Sequence, residues 1–227
     1  MMKHRNHRCF TLAEALITLG VIGVVAALTM PALIVSYRKI VVETHLKRFY
    51  SNINQAIKLS EIDNGDKKEW VFAGGTVVDE QGIGTYPDPT DWYNKYLAPY
   101  LKTLSVSYTD EMVPFGDGTR KGMLKVKFVD GSINVITTSG ADHAYCLTAK
   151  DAEAGRSKLG VNCFMFGFYP TRSETPQIKQ TYYDKGVEPY VSSSWNGTYE
   201  DLKTRKLYTK IIYLHNWKIP DDYPLKF

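Results

Sequence analysis

The sequence predicts an α+β protein: a long N-terminal helix, apolar in its first half and amphipathic in its second, packed on an antiparallel β-sheet with a disulfide-containing C-terminal region. Three observations carry this expectation. An uncharged apolar run opens the chain, a stripe of apolar residues at helical spacing follows it, and two alternating runs about Asp130-Gly131 spell a hairpin.

The apolar run comes first. From Ala15 to Tyr37 no side chain is charged, and the strongly apolar part, Ala15 to Val35, is 21 residues long. At 1.5 Å per residue this spans about 31 Å, the thickness of a bilayer's hydrocarbon core. A cleaved secretory signal has an apolar region of only roughly 7–15 residues, so the segment is read as a membrane span. Lys3, Arg5 and Arg8 precede it, and three of the 28 basic residues therefore lie in nine positions that hold no acid. The net charge of +4 belongs mostly to this tip. The body is nearly balanced, which argues against a nucleic-acid binder, whose folded part carries a basic face. Arg38 and Lys39 flank the far end as well, but long domains translocate largely regardless of charge while a short basic tip stays inside. The expected orientation is tip in, body out.

Glu14 interrupts the picture of a plain anchor. It stands at the start of the apolar run behind Phe10-Thr11-Leu12-Ala13. A carboxylate in a membrane helix costs on the order of 2.5–3.5 kcal/mol at the centre and less near the end. Within the membrane it needs a cationic partner from another chain or a free amine; otherwise it sits in the headgroup region.

Phe10-Thr11-Leu12-Ala13-Glu14, behind a short basic leader and ahead of an apolar helix, resembles the prepilin-type signal of the type IV pilin and type II secretion pseudopilin family. The resemblance covers about the first fifth of the chain. It implies removal of residues 1–9 by a prepilin peptidase cutting between Cys9 and Phe10, and N-methylation of Phe10. It implies that Glu14, fifth in the mature chain, neutralises the terminal amine of a neighbouring subunit. Pro31 falls where that family has a helix-kinking proline, and its missing N–H frees the carbonyl of Ala27. Cys9 stands where the family normally has glycine. The implied partners are other pilin or pseudopilin subunits, the peptidase, inner-membrane assembly machinery and the bilayer. The implied location is a single-pass inner (cytoplasmic) membrane protein, then the filament.

The remaining elements follow in order. Residues 10–37 form the membrane and assembly helix. Residues 38–65 continue it with Val42, Leu46, Phe49, Ile53 and Ile57 on one face, and Asp63-Asn64-Gly65 is a stop. The heptad pattern is too short for a coiled coil, so the stripe is expected against a sheet. Residues 66–227 form the globular extracytoplasmic domain. Residues 66–89 read as loop with a short strand at Trp70–Ala73. Thr90-Asp91 is placed as the cap of a helix reaching Leu101, with Pro99 limiting its regularity. Residues 123–138 give a hairpin with a two-residue Asp130-Gly131 turn. Cys163–Phe168 reads as a strand and Tyr199–Leu214 as a helix. Helix, strands and disulfide in this order are similar to the pilin fold.

Three cysteines occur: Cys9, Cys146 and Cys163. Loss of Cys9 with the leader leaves an even pair, and in an exported protein a Cys146–Cys163 disulfide is expected to contribute roughly 3 kcal/mol. The alternative is two separate buried thiols.

Catalytic signatures are missing. His45, His143 and His215 lie in no metal-binding or nucleophile motif, and no phosphate-binding glycine loop appears. Ala73-Gly74-Gly75 and Gly116-Asp117-Gly118 read as turns. Asp142, Asp151 and Glu153 read as a solvated acidic loop without calcium-ligand order. No cofactor, metal or catalytic residue is expected. Asn196-Gly197-Thr198 matches a glycosylation sequon only weakly. The sequence thus points to a structural filament subunit, with a monomeric adhesin-like surface domain on an uncleaved anchor as the alternative.

Overall fold

The computed structural model describes residues 11–72, 77–78, 84–85, 88–109, 113–115, 118–120, 122–137 and 140–227. The leader, Cys9 and Phe10 lie outside the described residues, as do Gly74, Gly75, Gly116 and Asp117 of the expected turns. The chain divides into two compact units, residues 1–41 with Phe227 and residues 42–226.

Helix α1 (Leu12–Asn64) is a single 53-residue α-helix with Pro31 inside it, and it ends where Asp63-Asn64-Gly65 predicts. Strands β1 (Val77–Val78) and β2 (Gly84–Thr85) pair in the segment expected to be loop. Helix α2 (Thr90–Tyr96) precedes β3 (Thr103–Thr109), the small hairpin β4 (Val113–Phe115) and β5 (Gly118–Arg120), then β6 (Met123–Phe128), β7 (Ile133–Thr137) and β8 (Asp142–Cys146). Helix α3 (Ala149–Glu153), β9 (Cys163–Phe168), α4 (Pro176–Tyr182), β10 (Val187–Pro189), α5 (Tyr199–Thr204) and α6 (Tyr208–Leu214) complete the chain. The main sheet has six antiparallel strands in the order β10-β9-β8-β7-β6-β3.

The second unit is organised by its part of α1. Val42, Leu46, Phe49, Ile53 and Ile57 are all buried, as their spacing predicts. Phe49 stacks on Tyr145 at 4.3 Å and meets Phe166 edge-on at 5.0 Å and Phe128 at 6.2 Å. Each such side chain contributes roughly 1.5–3 kcal/mol by burial. Alternation along the strands sets this face of the sheet against the other, where Met123, Ile133, Val135, Ala144, Cys146 and Cys163 pack under Ala149 and Ala152 of α3. A second aromatic group, Trp70, Trp92, Tyr96 and Phe168, includes a Trp70–Tyr96 stack at 4.4 Å.

Cys146 and Cys163 are disulfide-bonded. They are a directly opposed cross-strand pair of β8 and β9, so the bridge staples two neighbouring strands.

Four local expectations are corrected. The β6–β7 loop has three residues, Val129, Asp130 and Gly131, between the paired Phe128 and Ser132; the Phe128 N–H donates to the Ser132 carbonyl at 2.9 Å. The Gly131 N–H returns to the Phe128 carbonyl at 3.1 Å with Gly131 at φ +84, a turn followed by a bulge. Asp130 favours this form by accepting from the Ser132 N–H and hydroxyl. Trp70–Phe72 is not a strand: Trp70 closes the 3₁₀ turn Lys67–Glu69 with extended backbone and no ladder partner, and Ala73 lies outside the described residues. The helix from Thr90 breaks at Leu97 into the turn Ala98–Tyr100 containing Pro99, and Asp88, not Thr90, accepts the first N–H, that of Thr90 itself at 2.8 Å. The helix expected over Tyr199–Leu214 is two, α5 and α6, separated where Lys206 adopts φ +57.

His143 lies wholly inside the sheet's helix-facing side. Its Nε2 donates to the Gly140 carbonyl at 3.1 Å and its Nδ1 accepts from the Asn134 amide at 2.9 Å, which fixes the neutral ring. Burial pulls its pKa down to about 4 from the ordinary 6.5. The unfolded chain therefore takes up a proton below pH 6.5 that the folded protein refuses down to about pH 4. Stability is expected to fall through that window by up to about 3 kcal/mol. Urea melts from pH 7 to 4 should show this slope, and His143→Asn should flatten the difference curve. Reduction of Cys146–Cys163, followed by the same melts at pH 7, should lower stability by about 3 kcal/mol.

Candidate functional site

The first unit consists, in its described part, of the apolar half of α1. It is the one helix among the described residues long and apolar enough to cross a membrane, and none of its apolar window is buried within the chain. Leu12, Leu28 and Leu33 are each about 70–80% exposed. Both threonines inside this stretch are satisfied within the helix: the Thr18 hydroxyl donates to the Glu14 carbonyl and the Thr29 hydroxyl to the Val25 carbonyl, each at 2.9 Å. Such internal pairing is what a segment without access to water requires. Pro31 sits mid-helix without breaking it, and a Cβ at Gly20 or Gly23 would meet nothing within 4 Å.

Glu14 occupies the first turn, and its surroundings change the argument about it. The Thr11 N–H and hydroxyl both donate to Glu14 Oε2 at 2.9 Å, while the Glu14 N–H donates to the Thr11 hydroxyl oxygen at 3.2 Å. This is a reciprocal capping box, in which the N-cap Thr and the acid three residues on satisfy each other's helix-end groups. The carboxylate thus has two local donors and no cation among the described residues. The signal is present in the sequence as Thr-x-x-Glu before an apolar run. Glu14 and Pro31 share one helix at about 26 Å of helical rise; Cys146 and Cys163 belong to the sheet of the other unit.

The side chains considered for catalysis or metal binding are occupied in the fold. His45 Nδ1 is 3.1 Å from the Tyr145 hydroxyl, and His215 Nδ1 is 2.9 Å from the Ile211 carbonyl. The three acids expected in a solvated loop lie instead in β8 and α3 and are paired, with Asp151 on Arg156 and Glu153 on Lys127, both at 2.7 Å, and Asp142 accepting from the Tyr169 hydroxyl. Among the described residues no three His, Cys, Asp or Glu side chains are grouped to hold a metal ion.

The second unit also contains a feature the sequence did not announce. Glu188 on β10 is 5% exposed and accepts from the Tyr50 hydroxyl of α1 at 2.9 Å. Burial outweighs the opposing hydrogen bond from Tyr50 and the charges of Lys185 and Lys210, and holds its pKa above the ordinary carboxylate value. Asn54, one helical turn after Tyr50, donates to the Tyr50 and Val187 carbonyls at 3.0 and 2.9 Å. These residues line an open groove of about 720 Å³ between α1, the segment before β10 and Trp217. Tyr50 and Glu188 are 138 positions apart, so no local pattern could have joined them.

The cap makes a specific demand. Glu14→Gln keeps an acceptor for the Thr11 N–H and should leave the helix start intact, whereas Glu14→Ala removes it at a cost of about 1 kcal/mol. Amide hydrogen exchange of residues 11–15 in detergent micelles should be unchanged in the first variant and several-fold faster in the second.

Residues 32–227 match a family of unknown function (DUF6613), a match that starts after Pro31 and leaves out Glu14. No curated protein and no solved structure matches the chain.

Proposed function

The chain belongs to that family of unknown function, and we propose that it is a structural subunit of a type IV pilus or of a type II secretion-like pseudopilus. In this reading residues 1–9 are removed before Phe10, Phe10 is N-methylated, and the subunit waits in the inner membrane with its N-terminus cytoplasmic and its pilin-like domain outside. Other subunits then cover the apolar face of α1. The observation that carries the proposal is an apolar helix window with none of its residues buried among the described residues, in a chain that reads Phe10-Thr11-Leu12-Ala13-Glu14 where the apolar run begins. A helix of this kind is stable only in lipid or against other helices, and packing of many copies would bury it outside the membrane. Glu14 then selects register by meeting a neighbour's terminal amine, and Pro31 supplies a place where the helix gives.

The capping box favours a second reading. With Thr11 already donating twice to Glu14, an uncleaved anchor carrying a monomeric adhesin-like surface domain needs no partner for the carboxylate. The two part on one charge. Glu14→Gln preserves the cap and removes the charge, so filament subunits should fail to assemble, while anchored monomers should be unaffected.

Two measurements decide. In protein from its own cells, the N-terminal peptide should begin at Phe10 and be heavier by one methyl group; a peptide retaining Met1 to Cys9 would rule out processing. Sheared filament fractions should contain the wild-type chain and lose Glu14→Gln at least tenfold. Equal recovery of the two would overturn the filament role of Glu14.

A further inference from the structure

The groove beside Tyr50 and Glu188 combines features that a purely structural seam would not need. Its floor offers hydrogen-bond acceptors. Glu188 has one carboxylate oxygen bound by Tyr50 and no hydrogen-bond donor on the other among the described residues, with Lys185 and Lys210 as its neighbouring charges, and Asn54 keeps its amide oxygen after spending its N–H groups on backbone carbonyls. Its rim is cationic. Lys47 and Lys58 line it, are exposed, and form no ion pair among the described residues, while Lys67 is held by Glu61 and Asp184 at 3.0 and 3.2 Å. Its wall is kept thin by Gly186: a Cβ there would lie 1.9 Å from the Asn54 Oδ1 and 3.3 Å from Ile57. At about 720 Å³ the groove lies within the range of small-ligand sites.

The charge arrangement selects the ligand. A bare phosphate could reach one rim lysine, but it would leave the Glu188 and Asn54 oxygens of the floor without a donor. A cationic ligand would meet Lys47 and Lys58 at the rim and, at the floor, a Glu188 that already faces Lys185 and Lys210. An apolar ligand would strand the polar floor. What remains is a molecule with hydroxyl donors for the floor and an anionic group for the rim. We propose that this groove is a binding site for an acidic saccharide, its hydroxyls donating to Glu188 and Asn54 and its successive carboxylates meeting Lys47 and Lys58, which stand 11 residues, or about 17 Å, apart along α1. The site would stand whether or not the chain assembles into filaments, because all of its residues belong to the second unit.

Trigalacturonic acid is a suitable probe, with cellotriose as a neutral counterpart of the same length and sodium sulfate as a simple anion. Titration calorimetry and saturation-transfer NMR on the full chain in detergent micelles should show binding of the acidic trimer at least tenfold tighter than of cellotriose. Glu188→Gln should weaken it about tenfold, the loss of a charge-assisted hydrogen bond. Lys47→Ala/Lys58→Ala, at exposed positions that leave the fold alone, should abolish the preference over cellotriose, and melting curves check that each variant folds. No saturation transfer to the acidic trimer would overturn the proposal. So would equal affinity for cellotriose, undiminished binding by the lysine variant, or full displacement by sulfate at a concentration matched to the trimer.

Discussion

One side chain organises the second unit. Phe49 projects from α1 into the middle of the sheet, stacked on Tyr145 and flanked by Phe166 and Phe128, so that three strands far apart in sequence converge on one ring. With Leu46 and Ile53 a turn away on each side, this stripe gives the sheet's inner face something to be buried against. A six-stranded antiparallel sheet has two faces to cover. Here α1 takes one, and α3 closes part of the other over the disulfide. Once the helix is seated, the alternation of every strand is fixed, because slipping by one residue would turn Leu124, Val126, Phe164 and Phe166 outward.

The same helix carries two kinds of surface that obey different solvents. From Val42 onward its apolar residues follow the 3.6-residue period and are buried in the second unit. Before Ile40 they cover the helix all round and are exposed, which in water is unfavourable and in lipid or among like helices is not. The capping box at Thr11 and Glu14 belongs to that second regime, where an unsatisfied N–H at a helix end costs several kcal/mol. Helix capping and charge pairing are therefore compatible uses of Glu14, since its Oε1 is left for another donor while Oε2 serves Thr11.

Polar groups inside the second unit divide by whether the fold completes them. His143 is completed by the Asn134 amide and the Gly140 carbonyl, which lock the neutral imidazole, while the Asn134 Oδ1 is buried without a partner among the described residues. Tyr182 is closed by both the N–H and the carbonyl of Val191. Glu188 differs, being buried yet bonded through one oxygen only and placed along an open groove. Its place on an open groove, and not the unpaired oxygen alone, makes Glu188 a candidate recognition group.

Features that rest on local periodicity and composition are legible in the chain alone. These are the apolar span, the buried stripe Val42–Ile57, the helix stop at Asp63-Asn64-Gly65, the strands β6, β7 and β9, and the Cys146–Cys163 pair. Each is written in neighbouring residues or in a residue count, so no distant contact is needed to read it. Single-residue backbone choices were less legible: Gly131 in a bulge instead of a two-residue turn, Lys206 in a left-handed conformation splitting α5 from α6, and Asp88 displacing Thr90 as the first acceptor. In each case two local solutions differ by about 1 kcal/mol, and the packing around them chose. Only the tertiary structure brought Tyr50 to Glu188 and set Gly186 against Asn54, because hydrogen bonds between residues more than a hundred positions apart leave no trace in local sequence.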